Sequence, residues 1–207
     1  MSADEARETP RAGGLQPEVS ETSLYSYLVT RHTGRAVRMS IREQIVASDG
    51  PLVAVLDFRN VAVIDFSCAD EVVAKLVDEI RSRDGLEETW FFFRGLEEHH
   101  LDPVESALVR RTLAVAGESA GGDPMLVGAV EGDDRAAWRT VQRLGRAGAS
   151  DVAGEMERAV EEVRGLLDRL TRRRLVMADR RHYVSLRRTL SDTSGGQQPD
   201  GREEGGP

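Results

Sequence analysis

The residue with the clearest chemical potential is Ser67, which lies between Asp65 and Asp70 in the stretch VAVIDFSCADEVVAKLVDEI. A serine hydroxyl can accept a phosphoryl group, and it can also cap the N-terminus of a helix. The spacing of Ser67 and Asp70 is related to that of a capping box. We therefore expect Ser67 to be the N-cap of the helix that follows. Whether it is only a cap or also a regulated phosphoacceptor stays open at this point.

Three carboxylates lie close to Ser67 in the sequence, those of Asp65, Asp70 and Glu71. A phosphate would be favoured by the free amides and the dipole at a helix N-terminus. The carboxylates would oppose the added charge of about −1.5 to −2. Phosphorylation is therefore expected to change this surface by repulsion, without refolding it.

The remaining reactive side chains do not form a nucleophile with a base and an orienting group. Cys68 is the only cysteine, which excludes an intramolecular disulfide and a cysteine-based zinc site, and we expect an inert thiol. The adjacent His99 and His100 cannot share a helix face and are expected in a solvent-exposed loop. The sequence thus indicates a non-catalytic protein with no cofactor and no metal.

The segments around Ser67 alternate between strand and helix patterns. SLYSYLVT indicates a strand with Tyr25, Tyr27 and Val29 on one face, and a helical stripe of apolar residues follows it. PLVAVLDF, TWFFF and PMLVGAV are short apolar runs typical of buried strands. Helices are expected after Ser67 and from Pro103 to about Gly117. The sequence therefore predicts an α/β fold, with a central sheet flanked by helices.

Both ends of the chain are polar and rich in Gly, Glu or Pro, so residues 1–22 and 191–207 are predicted to be disordered tails. The α/β pattern fills residues 23–130. Residues 131–190 carry 14 basic and 10 acidic side chains in helices of mixed charge, within a chain of net charge −8. This change of pattern predicts a second domain over residues 131–190.

The run VLDFRNVAVIDFSCADEVVAKL, residues 55 to 76, resembles the STAS family of anti-sigma-factor antagonists and their relatives. The resemblance implies a STAS-like sheet over residues 23–130 and a protein partner, a serine kinase that doubles as an anti-sigma factor. It makes Ser67 the candidate phosphoacceptor and Asp65 the aspartate that precedes it. Phe66 and Cys68 stand where the family usually has Ser or Thr and Gly. The residues implied in partner binding are Asp57, Asp65, Phe66, Cys68, Asp70 and Glu71.

The run from ASDVAGEM to YVSL, in residues 131–190, resembles a winged helix, with a short helix, a long helix and a hairpin wing. In the DNA-binding use the long helix enters the major groove. Here the early part of the long helix carries Glu155, Glu157, Glu161 and Glu162, which would repel phosphates. The candidate nucleic-acid contacts lie instead at the helix end and the wing: Arg172, Arg173, Arg174, Arg180 and Arg181. Pairing with protein is favoured over DNA contact.

The expected function is therefore a regulatory module that binds a protein partner and is switched by phosphorylation at Ser67. The alternative is a winged-helix DNA-binding transcriptional regulator that uses its STAS-like domain for dimerisation or sensing. No apolar run approaches the ~20 residues of a membrane span, and the N-terminus has no apolar signal segment. A cytoplasmic location without membrane contact is therefore expected.

Overall fold

The computed structural model describes residues 16–194. The rest of the two expected tails, residues 1–15 and 195–207, lies outside the described residues. A five-stranded sheet has the order β1-β3-β5-β6-β7, in which the first four strands are parallel and β7 is antiparallel to β6. Its strands are β1 (Glu18–Ser23), β3 (Leu52–Asp57), β5 (Thr89–Leu96), β6 (Ala114–Ser119) and β7 (Pro124–Gly128). A separate parallel pair joins β2 (Tyr27–Leu28) to β4 (Val63–Ile64).

The parallel strands follow one another across the sheet in chain order, so right-handed crossovers place all connecting helices on one face. These helices pack on Ala54, Phe91, Phe93 and other side chains of that face. A single continuous helix follows β4, and its middle part has π-helical geometry. The helices of this layer are α1 (Arg31–Val46), α2 (Phe66–Ala69) with the π-helical segment (Asp70–Lys75) and α3 (Leu76–Arg81), and α4 (Glu98–Val109).

The opposite face of the sheet is also apolar and is covered by the C-terminal part of the chain. Val53, Val55 and Phe92 point to this side, because side chains alternate along a strand, and they share one buried cluster with Trp138 and Leu167. The expected first and second parts of the chain therefore pack around a common sheet. The C-terminal elements are α5 (Gly132–Leu144), β8 (Arg146–Gly148), α6 (Ala149–Met156), α7 (Val160–Arg172), β9 (Met177–Asp179), β10 (His182–Val184) and α8 (Leu186–Ser194).

The three C-terminal strands form a small antiparallel sheet in the order β8-β10-β9. Asp134 on α5 is buried and accepts hydrogen bonds from Arg169 on α7, at 3.1 and 2.9 Å. The Trp138 indole N–H donates to the carbonyl of Leu175 at 3.3 Å. These contacts tie α5 to the end of α7.

The structure corrects four expected boundaries. The first strand begins at Glu18, inside the expected tail 1–22, because EVSETS pairs with the apolar β3 along its whole length. At the other end, α8 continues to Ser194, into the expected tail 191–207. Of SLYSYLVT, Ser23 ends β1, and only Tyr27–Leu28 forms a further strand. Helix α4 begins at Glu98, with Pro103 inside it, and ends at Val109, so the last part of the helix expected to reach about Gly117 is instead strand β6. The expected α/β architecture with a central sheet flanked by helices is confirmed.

Candidate functional site

Two helices begin side by side at the end of the short β2–β4 pair. Helix α1 starts after Thr30, and helix α2 starts after Asp65. The backbone N–H of Asp65 donates to the carbonyl of Leu28 at 3.0 Å, which holds the two chain segments together. We call this place the Ser67 corner, defined by Thr30, Asp65, Phe66, Ser67 and Cys68.

Asp65, and not Ser67, is the N-cap of helix α2. Asp65 has an extended backbone, with φ −90° and ψ 164°, whereas Ser67 already lies within the first helical turn. The Asp65 Oδ1 atom accepts from the backbone N–H of Cys68 at 2.7 Å and from the Ser67 hydroxyl at 2.8 Å. The expectation that Ser67 caps the helix is therefore wrong, because an aspartate two residues earlier occupies the cap position.

The second carboxylate oxygen of Asp65 reaches across to the other helix. Asp65 Oδ2 accepts from the backbone N–H of Thr30 at 3.1 Å. Burial acts to raise the pKa of Asp65, but the hydrogen bonds donated by Cys68, Thr30 and Ser67 outweigh it, so the pKa lies below its ordinary value. Asp65 is thus an ionised group that joins the starts of two helices.

Thr30 has a backbone conformation that threonine rarely adopts, with φ +80° and ψ 139°. A β-branched residue at positive φ is strained, and such strain persists only where the surroundings hold it. The hydrogen bond to Asp65 and a cap bond from the Thr33 N–H to the Thr30 hydroxyl, at 3.4 Å, hold it here.

Cys68 faces the interior and not a partner. It is completely buried, and its thiol donates to the carbonyl of Thr30 at 3.1 Å. A Cβ atom added to Gly34 would lie 3.1 Å from the Cys68 sulfur, so the two helices are in close contact there. Burial, followed by the charge of Asp65, raises the pKa of the Cys68 thiol to about 11. These features agree with the expected inert thiol. Cys68 has no exposed surface for the expected contact with a partner.

Phe66 is the member of the corner that combines an apolar ring with partial exposure. It packs against the core cluster on one side. The guanidinium carbon of Arg110 lies 5.3 Å from the centre of its ring, within cation–π range. Phe66 therefore remains accessible from the surface beside Ser67.

Asp70 and Glu71 are not free carboxylates. Glu71 is 3% exposed and is paired with Lys75, with Arg31 at 3.0 Å and with Arg38 at 3.4 Å. Burial acts to raise the pKa of both carboxyl groups, but the neighbouring cations outweigh it and hold both pKa values below their usual range. The expected repulsion of a phosphate by these two residues is therefore largely neutralised, and Glu71 is too buried for a partner to touch.

Asp57 belongs to another part of the molecule. It ends β3, is 1% exposed, and is paired with Arg59 at 2.6 Å. The hydrogen bonds from Arg59 hold its pKa below the usual range. Its strand pairs with β1 and β5, whereas Asp65 follows β4, which pairs with β2. Asp57 is thus a structural ion-pair residue. Its burial leaves it unavailable to a partner, contrary to the expectation that it binds one.

An exposed apolar strip beside the corner was not anticipated as a site. Tyr25 and Tyr27 are each 68% exposed, Val63 is 43% exposed and Val29 is 39% exposed. Tyr27 and Val63 lie opposite each other in the β2–β4 pair. The chain runs directly from Val29 to Thr30, so the strip adjoins the Ser67 corner. The alternation of Tyr25, Tyr27 and Val29 was the available signal, since one face of that segment is apolar. These four residues are called the apolar strip.

His100 does not lie where the sequence predicts it. It lies in the first turn of α4 and is fully buried, not in a solvent loop. Its Nδ1 accepts from the backbone N–H of Glu97 at 3.1 Å, so its Nε2–H donates to the carbonyl of Val61 at 2.8 Å. Burial lowers the pKa of His100. The neutral imidazole thus anchors the segment that leads into β4 and the corner.

The arginines that were expected to form a basic surface on the C-terminal part fall into a half-buried group and an exposed group. Arg173 donates to the carbonyl of Ala129, and Arg174 donates to the carbonyls of Thr89 and Arg81, both at 3.3 Å. Both arginines are half-buried against the end of the sheet, whereas Arg172, Arg180 and Arg181 are exposed. Arg173 and Arg174 are therefore anchors of the fold, and Arg172, Arg180 and Arg181 are the expected nucleic-acid contacts that stay exposed.

In the part of the chain that the structure describes, no group of three or more His, Cys, Asp and Glu side chains could hold a metal ion. Among the helices of residues 16–194, none combines the length and apolar character that crossing a membrane requires. No model of a known protein family and no curated protein sequence matches this chain.

Proposed function

We propose that this chain is a non-catalytic regulatory protein whose Ser67 corner, together with the apolar strip, binds a protein partner. The observation that carries the proposal is the exposure of two tyrosines, each 68% exposed, on the segment that leads into Thr30 of the Ser67 corner. Tyrosine is enriched among the residues that dominate binding energy in protein interfaces. Contiguous exposed apolar side chains in a soluble protein mark interaction sites.

The partner that the STAS-like resemblance implies is a serine kinase of the anti-sigma type. Ser67 is partly exposed at the surface, in the first turn of a continuous helix that extends to Arg81. A kinase would have to take Ser67 from its hydrogen bond with Asp65. The phosphate would then stand against the Asp65 carboxylate, which is the closest negative charge. Phosphorylation at Ser67 would thus weaken the hydrogen bonds of Asp65 that link the starts of α1 and α2. This change would switch partner binding.

We propose in addition that the C-terminal part is a winged-helix-like unit that serves in protein pairing. The order helix, strand, helix, helix, strand, strand from α5 to β10 supports this assignment. Its apolar face covers the sheet within the same chain.

The alternative, DNA binding, is supported by one feature. A groove of about 830 Å³ between α7 and the β9–β10 hairpin is lined by Arg164, Arg180 and Arg181, but also by Asp151 and Asp168. The exposed Glu161 and Glu162 at the start of α7 oppose phosphate contact. We therefore place DNA binding second. Salt-sensitive retention on DNA that is lost in Arg180→Ala with Arg181→Ala would favour it.

The test combines phosphorylation and binding. Intact-mass analysis of the protein isolated from its own cells should find a fraction with one added phosphoryl group, absent in Ser67→Ala. Binding to a serine kinase from the same genome, measured by calorimetry, should weaken at least about tenfold in Tyr27→Ala, as for a hot-spot residue. Met39→Ala is the matched control, because Met39 is 48% exposed on α1 and outside the apolar strip. Equal affinity of the two variants, with no phosphorylated fraction, would reject the proposal.

A further inference from the structure

A second cleft lies at the carboxyl ends of β5 and β6, beneath α8. It encloses about 450 Å³. Parallel strands gather their carboxyl ends at one edge, and ligands of open α/β sheets bind at that edge. We call it the arginine cleft. The residues that define it are Arg59, Arg94, Glu118, Ser119, Gly122 and Arg187.

Four charged side chains line the cleft. Three are the arginines Arg59, Arg94 and Arg187, and one is the glutamate Glu118. Arg94 is paired with Glu118 at 3.3 Å and with Glu21. Arg187 is held more loosely, since its ion pair is a 3.5 Å contact from Nε to Glu118 and its side chain is 46% exposed. Arg59 is likewise paired, with Asp57 at 2.6 Å and with Glu21 at 3.0 Å. Arg187 is therefore the lining arginine with the weakest ion pair, and its guanidinium is the one most available to a ligand.

The backbone is shaped to bring these arginines together. The register between β5 and β6 shifts between Phe93 and Leu96, which is a bulge directly after Arg94. Bulges occur next to functional sites, where they redirect a side chain. Gly95 lies in the bulge with φ +72°, and a Cβ atom there would overlap the Arg59 side chain. Glycine at this position thus lets Arg59 cross the end of β5 and reach the cleft.

We propose that the arginine cleft binds a phosphate group, either free or on a small phosphomonoester. The guanidinium fork matches the geometry of phosphate oxygens. The Ser119 hydroxyl, which accepts from the backbone N–H of Asp123 at 3.1 Å, keeps its own proton to donate. Because Arg187 comes from α8 and Arg94 from β5, a bound phosphate joins the C-terminal part to the edge of the sheet. This site is separate from the Ser67 corner, so it stands whether or not the proposed partner function is correct.

The experiment uses the full chain and inorganic phosphate as the probe. Phosphate is titrated against chloride at constant ionic strength, and binding is followed by calorimetry and by the amide NMR shifts of Ser119 and Gly122. Arg187→Gln should weaken phosphate binding at least about tenfold, as expected for one charge-assisted hydrogen bond. Arg188→Gln is the matched control, because Arg188 is the next residue on α8, is 54% exposed and pairs with Asp192.

Saturable binding in the unaltered protein and in Arg188→Gln, with loss in Arg187→Gln, supports the site. Absence of binding in the unaltered protein overturns the proposal. Equal binding by the two variants, or NMR shifts that avoid Ser119 and Gly122, also overturns it, because phosphate would then bind elsewhere. Ser67→Ala should bind phosphate normally, which separates this result from the test of the Ser67 corner.

Discussion

The carboxylate of Asp65 accepts a hydrogen bond from the backbone N–H of Thr30 at 3.1 Å, and so joins residues that are 35 positions apart in the chain. Its other oxygen caps the helix that carries Ser67. The two helix starts therefore depend on one side chain. This relationship makes the Ser67 corner a unit whose parts respond together.

Removing the Asp65 carboxylate should destabilise the fold. Asp65→Ala loses a helix cap and leaves two donors, the N–H of Thr30 and the Ser67 hydroxyl, without this acceptor. We expect the free energy of unfolding, from urea denaturation, to fall by about 2 to 4 kcal/mol. Asp49→Ala, at an exposed position, should change it by less than about 0.5 kcal/mol. Equal effects of the two substitutions would contradict the bridging role of Asp65.

Replacing Thr30 with glycine should not destabilise the protein. Thr30 has φ +80°, which glycine adopts without steric cost, although the weak cap to Thr33 is lost. The free energy of unfolding of Thr30→Gly should stay equal or rise by up to about 1 kcal/mol. Thr33→Gly, inside the first turn of α1, should lower it by up to about 1 kcal/mol. If Thr30→Gly lowered the free energy of unfolding more than Thr33→Gly does, Thr30 would not be strained.

The architecture of the first part follows from patterns that local physics sets. Val37, Ile41 and Ile45 recur at helical spacing and are all buried in α1. The first five residues of LVAVLD are apolar, and all six of its residues are buried in β3. The polar strand β1 was missed, because its pairing with β3 is a contact across 34 positions that no local pattern encodes.

The site was harder to predict than the sheet. Asp65 and Ser67 are both good N-caps, and only the backbone of the folded chain shows which one occupies the cap position. The cations that neutralise Glu71 come from α1 as well as from its own helix, so the sequence next to Ser67 overstated the negative charge there. His100 was misplaced because α4 begins five residues before Pro103.

His100 should make stability depend on pH. Its pKa in the folded protein lies below the ordinary value, so the unfolded chain takes up a proton first, near pH about 6.5. The stabilisation is therefore present above that pH and is lost as the pH falls below about 6.5. Urea unfolding over this range should show a decline that His100→Gln reduces. His99→Gln should retain it, because His99 is exposed. An unchanged slope in His100→Gln would contradict the neutral, buried imidazole.

Arg174 should contribute to stability, whereas Arg180 should not. Arg174 donates to the carbonyls of Thr89 at the start of β5 and of Arg81 at the end of α3, and Arg180 is exposed in the hairpin. Both have positive φ, 53° and 58°, so alanine meets the same backbone strain at both positions. Arg174→Ala should lower the free energy of unfolding by about 1 to 2 kcal/mol, and Arg180→Ala by less than about 0.5 kcal/mol. A larger loss in Arg180→Ala would contradict the anchoring role of Arg174.

The two parts of the chain should unfold together, because they share the buried cluster on one face of the sheet. Trp90 lies in β5 and Trp138 in α5, and both belong to that cluster. The variants Trp90→Phe and Trp138→Phe each leave one tryptophan, which reports on one part of the chain. Within each variant, the remaining tryptophan's fluorescence and the far-UV circular dichroism should give the same urea midpoint, as in a two-state transition. A fluorescence transition that separates from the circular dichroism in either variant would mean that the C-terminal part detaches first. The face that contains Val53, Val55 and Phe92 would then have to tolerate solvent, which its complete burial argues against.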